Sequence, residues 1–174
     1  PVGDGGGVPL MTGVAVAAAA RDAGAGDIAV KWPDDVVAGT GKLAGILSAT
    51  DGDGVIVGIG INLVFPGERP HPDAVSVAEA GGDPQADPLA AAVIGNLHDW
   101  WSRFVGSGGD ARRCGLRDAY EQACVTLGRE VTIFAPEGAW TGYATEIDAE
   151  GRLVVRDPQG VLRAVSAADV SLRG

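Results

Sequence analysis

The residues with the most chemistry in them are gathered between Lys31 and Asn62: two ammonium groups, Lys31 and Lys42, two adjacent carboxylates, Asp34 and Asp35, and the amide of Asn62. An ammonium offsets negative charge that builds on a reacting group, which is where a preorganised cation contributes most to rate. Neighbouring carboxylates suit magnesium, a hard cation that binds through one or two of them. Taken singly, none of these groups is diagnostic, because a hairpin lysine is usually a solvated charge.

Short strands must position them. Ile28 to Trp32 reads as a strand, Pro33 has no N–H for a ladder and stops it, and Asp34 and Asp35 fall in the turn that follows. Val36 and Val37 then pair across Ala38 to Gly41 with Lys42 to Ala49, and Asp51 to Gly54 turns the chain into a strand from Val55 to Leu63, giving an antiparallel meander. In that last strand Gly58 and Gly60 alternate with isoleucines, so one face lacks side chains along its middle. Such a strip receives another backbone or a core side chain, or else a flat ligand. Lys42, Gly45, Gly60 and Asn62 lie on neighbouring strands, which brings a cation, an amide and two bare patches of backbone toward one place.

In this order and spacing, Lys31-Trp32-Pro33-Asp34-Asp35, Gly41-Lys42-Leu43-Ala44-Gly45-Ile46-Leu47 and Gly58-Ile59-Gly60-Ile61-Asn62 resemble the catalytic core of biotin protein ligases. The resemblance implies an ATP-dependent enzyme that joins biotin to ATP as biotinyl-5′-adenylate, releases pyrophosphate, and passes biotin to a lysine of a biotin carboxyl carrier protein. It also implies roles. Lys42 would touch the biotin carboxylate and the α-phosphate, backbone around Gly45, Ile46 and Gly60 would line the biotin pocket, and Lys31, Asp34 and Asn62 would face the nucleotide. Asp35 would join Lys42 as a catalytic group and hold magnesium. One position departs from the pattern: the family usually has asparagine before the aspartate, whereas Asp34 is an acceptor carrying charge. A second carboxylate repels phosphate unless a metal or Lys31 neutralises it.

Two other motifs dissolve on inspection. Gly39-Thr40-Gly41-Lys42-Leu43 lacks both the first glycine of a P-loop, which would fall at Val36, and the hydroxyl that Leu43 replaces. Gly58-Ile59-Gly60 lacks the third glycine and the following helix of a dinucleotide fingerprint.

A chain of 174 residues with 46% hydrophobic content can bury a sizeable core, and its formal net charge of −10 argues against binding nucleic acid or an anionic membrane. Cys114 and Cys124 form no framework and sit near no histidine at metal spacing, so a reducing cytoplasm is the expected setting. Pro9 to Ala23 reads as an alanine-rich helix packed on a sheet, with no stretch apolar enough to span a membrane. Phe65 to Pro88 reads as a surface loop in which His71 is solvated. Leu89 to Val105 reads as an amphipathic helix whose Trp100, Trp101 and Phe104 are core rather than a stacking platform, and Asp110 to Leu127 as a further helix weakened at Gly115. Five short strands follow, at Glu130 to Phe134, Ala139 to Ile147, Arg152 to Arg156, Val161 to Val165 and Val170 to Leu172, with turns at Glu137-Gly138, Glu150-Gly151 and Gln159-Gly160.

These elements predict an α/β (α+β) fold: a mixed sheet with packing helices over residues 1–127, then a small SH3-like β-barrel over 128–174. The resemblance makes the first a class II synthetase-like biotin ligase catalytic fold, represented by its C-terminal portion, and the second the family's C-terminal domain. The family's glycine- and arginine-rich GRGRxGR loop, expected upstream of the first helix, has no counterpart here, so the chain reads as truncated at its N-terminus. Arg112-Arg113 is the only adjacent arginine pair. Two alternatives stand beside this reading: a non-catalytic fragment or paralogue that binds or forms a homodimer through exposed strands, and a lipoyl or octanoyl ligase or transferase of the same superfamily.

Overall fold

The computed structural model describes residues 7–52, 54–135, 138–166 and 171–173. Helix α1 (Gly7–Asp22) leads into a four-stranded sheet of β1 (Ile28–Lys31), β2 (Asp35–Ala38), β3 (Gly41–Asp51) and β4 (Gly54–Ile61), in spatial order β1-β2-β3-β4. Helices α2 (Ala86–Gly106) and α3 (Leu116–Ala123) follow. A five-stranded sheet, β5 (Glu130–Ala135), β6 (Gly138–Ile147), β7 (Leu153–Arg156), β8 (Leu162–Val165) and β9 (Ser171–Arg173), is ordered β8-β7-β6-β5-β9. The named strands pair antiparallel throughout, and the parallel component of the expected mixed sheet is confined to the isolated bridges Val30↔Cys124 and Lys42↔Ala74.

Small residues let α1 lie close to the first sheet. A Cβ at Gly13 would come within 3.4 Å of both Val30 and Tyr120 and 3.9 Å of Ile46, so its hydrogen marks the contact line between helix and strands. Val30, Val36, Leu43, Ala44 and Ile46 face α1 and are buried, while Leu116 and Tyr120 bring α3 into the same core. Pro88, in the first turn of α2, removes an N–H that has no intrahelical partner there anyway. In the second sheet, a Cβ at Gly142 would fall 2.6 Å from Val155 and 2.7 Å from the Arg156 carbonyl, so β6 and β7 curl too tightly there for any other residue.

Two expectations are corrected. The helix over Asp110 to Leu127 is confined to Leu116–Ala123. At its start Gly115 takes φ 79°, and Asp110 spends its carboxylate accepting the Arg112 and Arg113 N–H groups in a turn. At its end Cys124 turns extended, and the Val125 N–H donates to the Val30 carbonyl at 2.9 Å, so pairing with β1 replaces further helix. The loop over Phe65 to Pro88 is also more than a surface loop. From Asp73 to Ala80 it returns to the first sheet and buries Ala74, Ser76 and Val77. The Lys42 N–H donates to Asp73 at 2.7 Å, Val75 to Lys42 at 3.0 Å and Val77 to Asn62 at 2.8 Å. The turns Asp51 to Gly54 and Glu137-Gly138 and the start of the last strand at Val170 each include positions outside the described residues.

Candidate active site

Strand register lines up four of the candidate residues. Lys31 pairs with Asp35, Asp35 with Gly45 and Gly45 with Gly60, a straight row across β1, β2, β3 and β4. Residues directly opposite one another in antiparallel strands point to the same face, and their neighbours point to the other. The row therefore lies on the face away from α1. Nothing among the described residues comes within 4 Å of a Cβ placed on Gly60, and at Gly58 the nearest atom is the Leu47 carbonyl oxygen at 3.8 Å. The bare strip is open, so the described residues do not supply the backbone or core side chain that could have filled it.

Strict alternation from Gly45 would send Lys42 to the same side as Ala44 and Ile46, into the core. A β-bulge prevents this. Register shifts between Val36 and Val37, so that Val36 faces Ala44 but Val37 faces Lys42, and the consecutive residues Leu43 and Ala44 are both buried. The extra residue returns Lys42 to the open face, which is the re-aiming that bulges perform. Its ammonium then lies back over Gly45, where a Cβ would sit 3.2 Å from both Cε and Nζ, and reaches Asp35 Oδ1 at 2.5 Å. Glycine at 45 is what gives the lysine room to cross the strand.

The base of Lys42 is fixed from several directions. Its N–H and carbonyl are both engaged by the returning segment, and the carbonyl also accepts from Asn62 Nδ2 at 3.1 Å. Asn62 is held in turn, donating its N–H to Leu43 and accepting from Val77. Lys31, Asp35, Lys42 and Asn62 line one cleft of about 510 Å³, closed on its far side by Pro70, His71, Asp73 and Ala74. Sequence reasoning missed those four, because the short return of the loop carries no periodic signal. The tightly spaced Pro70, His71 and Pro72 were the only hint.

The remaining candidates take different places. Asp34 is exposed in the turn, and its carbonyl accepts the Ile46 N–H at 2.8 Å. Partial desolvation, then the charge of Asp35, raises its pKa above the usual carboxylate value, with Lys42 and a backbone N–H opposing. Ile46 is 4% exposed and turned into the core, so only its backbone is near the row. Gly45 and Gly60 share the face of the cleft but lie beyond its lining.

Among the described residues no group of three or more His, Cys, Asp or Glu side chains forms a metal cage. The donor set fits the other style of magnesium site. Asp35 Oδ1 is buried and accepts no directed hydrogen bond, balanced only by the adjacent ammonium, so it can serve as the single carboxylate of an ion whose other ligands are phosphate oxygens and water.

The second sheet is fastened directly to this turn. Buried Trp32, next to Lys31, donates its backbone N–H to Thr126 Oγ1 and its indole N–H to the Gly151 carbonyl, both at 3.0 Å. An open sheet face with a bulge-aimed lysine is thereby pinned to a small curled sheet, an arrangement of two antiparallel sheets with packing helices. Residues 126–173 match the family described as "Biotin protein ligase C terminal domain". The chain is 33% identical over 150 residues to a biotin–[acetyl-CoA-carboxylase] ligase of Mycobacterium tuberculosis, a match covering 81% of this chain and 52% of that protein. It is 31% identical over 162 residues to the enzyme of the same name from Paracoccus denitrificans, covering 84% and 64%. The structure of a mutant of Aquifex aeolicus biotin protein ligase in complex with biotin superposes with a TM-score of 0.81 at 26% identity, covering 97% of this chain and 71% of that one. The chain thus spans between half and two thirds of the length of these curated relatives.

Proposed function

We propose that this chain carries the lysine-bearing wall of an ATP-dependent biotin protein ligase, which forms biotinyl-5′-adenylate and transfers biotin to a lysine of a biotin carboxyl carrier protein. The observation that supports this most is the bulge that lifts Lys42 onto the open face beside Asp35, over a strip left bare by Gly45 and Gly60. A flat bicyclic ligand can lie on bare backbone with its carboxylate toward the Lys42 ammonium. The α-phosphate would approach the same ammonium from the cleft side, where Asn62 is locked beside it. Lys42 then offsets the repulsion between the two anions as the carboxylate oxygen meets phosphorus. Magnesium, when bound at Asp35, would neutralise phosphate charge. Residues 1–127 form the catalytic part in this reading and 128–174 the C-terminal domain. No helix among the described residues is long and apolar enough to cross a membrane, and Cys114 and Cys124 are both free thiols, in keeping with a reducing cytoplasm.

The test is to incubate the protein, at the full length of its relatives, with biotin, ATP, magnesium and a biotin acceptor domain, and to read the acceptor's mass. A mass gain of one biotinyl group is expected. Small-molecule sites usually cover most of a ligand's surface, and the 174 residues present one open wall, so the same incubation with this chain alone should leave the acceptor unchanged. Acceptor unmodified by the full-length protein, or modified by this chain alone, would contradict the reading.

A further inference from the structure

The segment that returns to the first sheet after Pro72 is held by little of its own. Among residues 63–85 only Ala74, Ser76 and Val77 are buried, and a stretch with so few apolar contacts opens easily. Its backbone nevertheless carries two residues of the cleft. The Lys42 N–H donates to the Asp73 carbonyl, the Lys42 carbonyl accepts from Val75, and the Asn62 carbonyl accepts from Val77. The approach is close: a Cβ on Gly41 would fall 2.8 Å from that of Val75, so the segment lies flat on the hairpin just before Lys42. What ties it off is the run Ser76-Val77-Ala78-Glu79. Ser76 Oγ accepts the Glu79 N–H at 3.2 Å, and Glu79 Oε2 accepts the Ser76 N–H and hydroxyl, both at 2.9 Å, the reciprocal pairing of a capping box. There is a single turn to cap, closed by the Ala80 N–H on the Ser76 carbonyl at 3.0 Å. The second carboxylate oxygen has a separate task. Glu79 Oε1 accepts from Arg69 Nη2 at 2.6 Å, and Arg69 Nη1 donates to the Ala74 carbonyl at 3.4 Å. One carboxylate thus joins the two ends of Pro70 to Ala74, the stretch that walls the cleft. The Ser76 N–H, its hydroxyl and then Arg69 hold Glu79 below the usual carboxylate range, so it is ionised at neutral pH.

We propose that Glu79 is a positioning residue for adenylation: through Ser76 and Arg69 it clamps the returning segment, and that segment fixes the backbone of Lys42 and Asn62. Its effect on rate rests on the adenylation reading above. Glu79 lies outside the cleft lining and acts only through its neighbours. The Lys42 side chain is half-exposed and paired with Asp35 alone, so where its ammonium sits depends on how its backbone is held. The bulge holds it from one side and Asp73 to Val75 from the other. A reacting group displaced by ~1 Å can lose ~100-fold in rate. The two substrates should feel a loosened clamp unequally. Biotin, in the proposed pose, rests on β3 and β4 at Gly45 and Gly60, whereas the nucleotide enters the cleft whose far wall is Pro70 to Ala74. Loosening should therefore raise KM for ATP and lower kcat while largely sparing KM for biotin.

The experiment compares Glu79→Ala, Glu79→Gln, Arg69→Gln and the Arg69→Gln, Glu79→Ala double variant with the parent in two assays. Both residues are exposed, so the variants should keep the parent's fold, and Glu79→Gln, which retains an oxygen for the Ser76 N–H, is the milder change. Amide hydrogen exchange is read residue by residue on the 174-residue chain. In Glu79→Ala the Lys42, Val75 and Val77 N–H groups should exchange about tenfold faster, the scale of a lost cap, with the Ala144 N–H of the second sheet unchanged. Arg69→Gln should give a smaller rise, and the double variant no more than Glu79→Ala alone, because the two residues act through one joint. Steady-state kinetics are read on the protein at its relatives' length. Glu79→Ala should raise KM for ATP about tenfold and lower kcat about tenfold, with KM for biotin within about twofold and Glu79→Gln in between. Unchanged exchange at Lys42 and Val75 in Glu79→Ala would overturn the assignment. So would equal rises in both KM values, or faster exchange throughout both sheets, which mark a merely structural residue. Faster exchange at Lys42 in a protein whose parent never forms adenylate at full length would leave the clamp standing and remove the adenylation reading. Adenylate formation by Glu79→Ala with the parent's KM and kcat would do the reverse.

Discussion

Adding one methyl group to Gly60 separates the two ways in which a bare strand can be used. No described atom lies within 4 Å of the new Cβ, and Gly60 does not have the positive φ that disfavours side chains. Inside the protein the substitution is therefore free of clash. It should raise stability by about 0.4–1 kcal/mol through the lost flexibility of the unfolded chain, or about 1–4 °C in melting temperature for a chain of this size. A ligand resting on the strand meets the opposite result. Carbon contacts are optimal at ~3.5–4.0 Å, and a gap of only ~0.5–1 Å forfeits a quarter to a half of each contact. A methyl group projecting ~1.5 Å from the backbone pushes a stacked ring system back by more than that. Biotin affinity should fall by about tenfold or more. The melt is read on this chain and the biotin titration on the protein at its relatives' length. Unchanged biotin affinity in Gly60→Ala would mean that the open face is not the biotin site. A lower melting temperature would mean that the strip is packed by the protein itself, and the reasoning from its openness would fail.

Asp34→Asn tests the departure from the family pattern. The folded-state pKa of Asp34 is raised, so its contribution to stability is present below the ordinary carboxylate range and is lost as pH rises through the folded value. Melts of the variant and parent should coincide in acid and diverge toward neutral pH, with the variant higher by about 1–2 °C, the scale of a surface change. Magnesium-ATP should bind the variant more tightly, with the advantage shrinking as salt is added. Weaker ATP binding would instead make Asp34 a magnesium ligand or a partner of Lys31. Trp32→Phe removes the indole donor to Gly151, and a loss of about 1 kcal/mol is expected, seen as a melting temperature lower by ~2–4 °C. An unchanged melt would show that the indole bond contributes nothing to fastening the second sheet.

Much of the first sheet was legible because its breaks are chemical. Pro33 ends one strand, glycines at 39, 41, 52 and 54 mark the hairpins, and the alternation in Val55 to Ile61 identifies a strand with one bare face. The direction of Lys42 was not legible. Counting alternate residues back from Gly45 buries it, and only the bulge opposite Val36 and Val37, which leaves no mark in composition, brings it to the ligand face. The wall from Pro70 to Ala74 was hidden for a related reason: the segment is too short for a period, and its prolines and aspartate read as a surface loop. The end of α3 was misjudged because the helix was carried on through Cys124 and Val125, which instead leave it to pair with Val30, a partner far away in sequence. The C-terminal strands were legible from regularly spaced turns. Nothing in those strands announced that Trp32 would bond to Gly151.

We propose that Lys42, lifted by the bulge and resting over Gly45, brings biotin and the nucleotide together. That proposal is tested by biotin-dependent pyrophosphate release from the Lys42→Ala variant of the full-length protein. The Lys42 side chain is 52% exposed and covers the Asp35 oxygen it pairs with, so truncating it opens that carboxylate to water and the melt should change by less than about 1 kcal/mol. Pyrophosphate release should nevertheless fall about a hundredfold or more, as for removal of one preorganised electrostatic contact. A variant that keeps the parent's fold and releases pyrophosphate at near-parent rate would contradict the assignment of this face as the reacting centre.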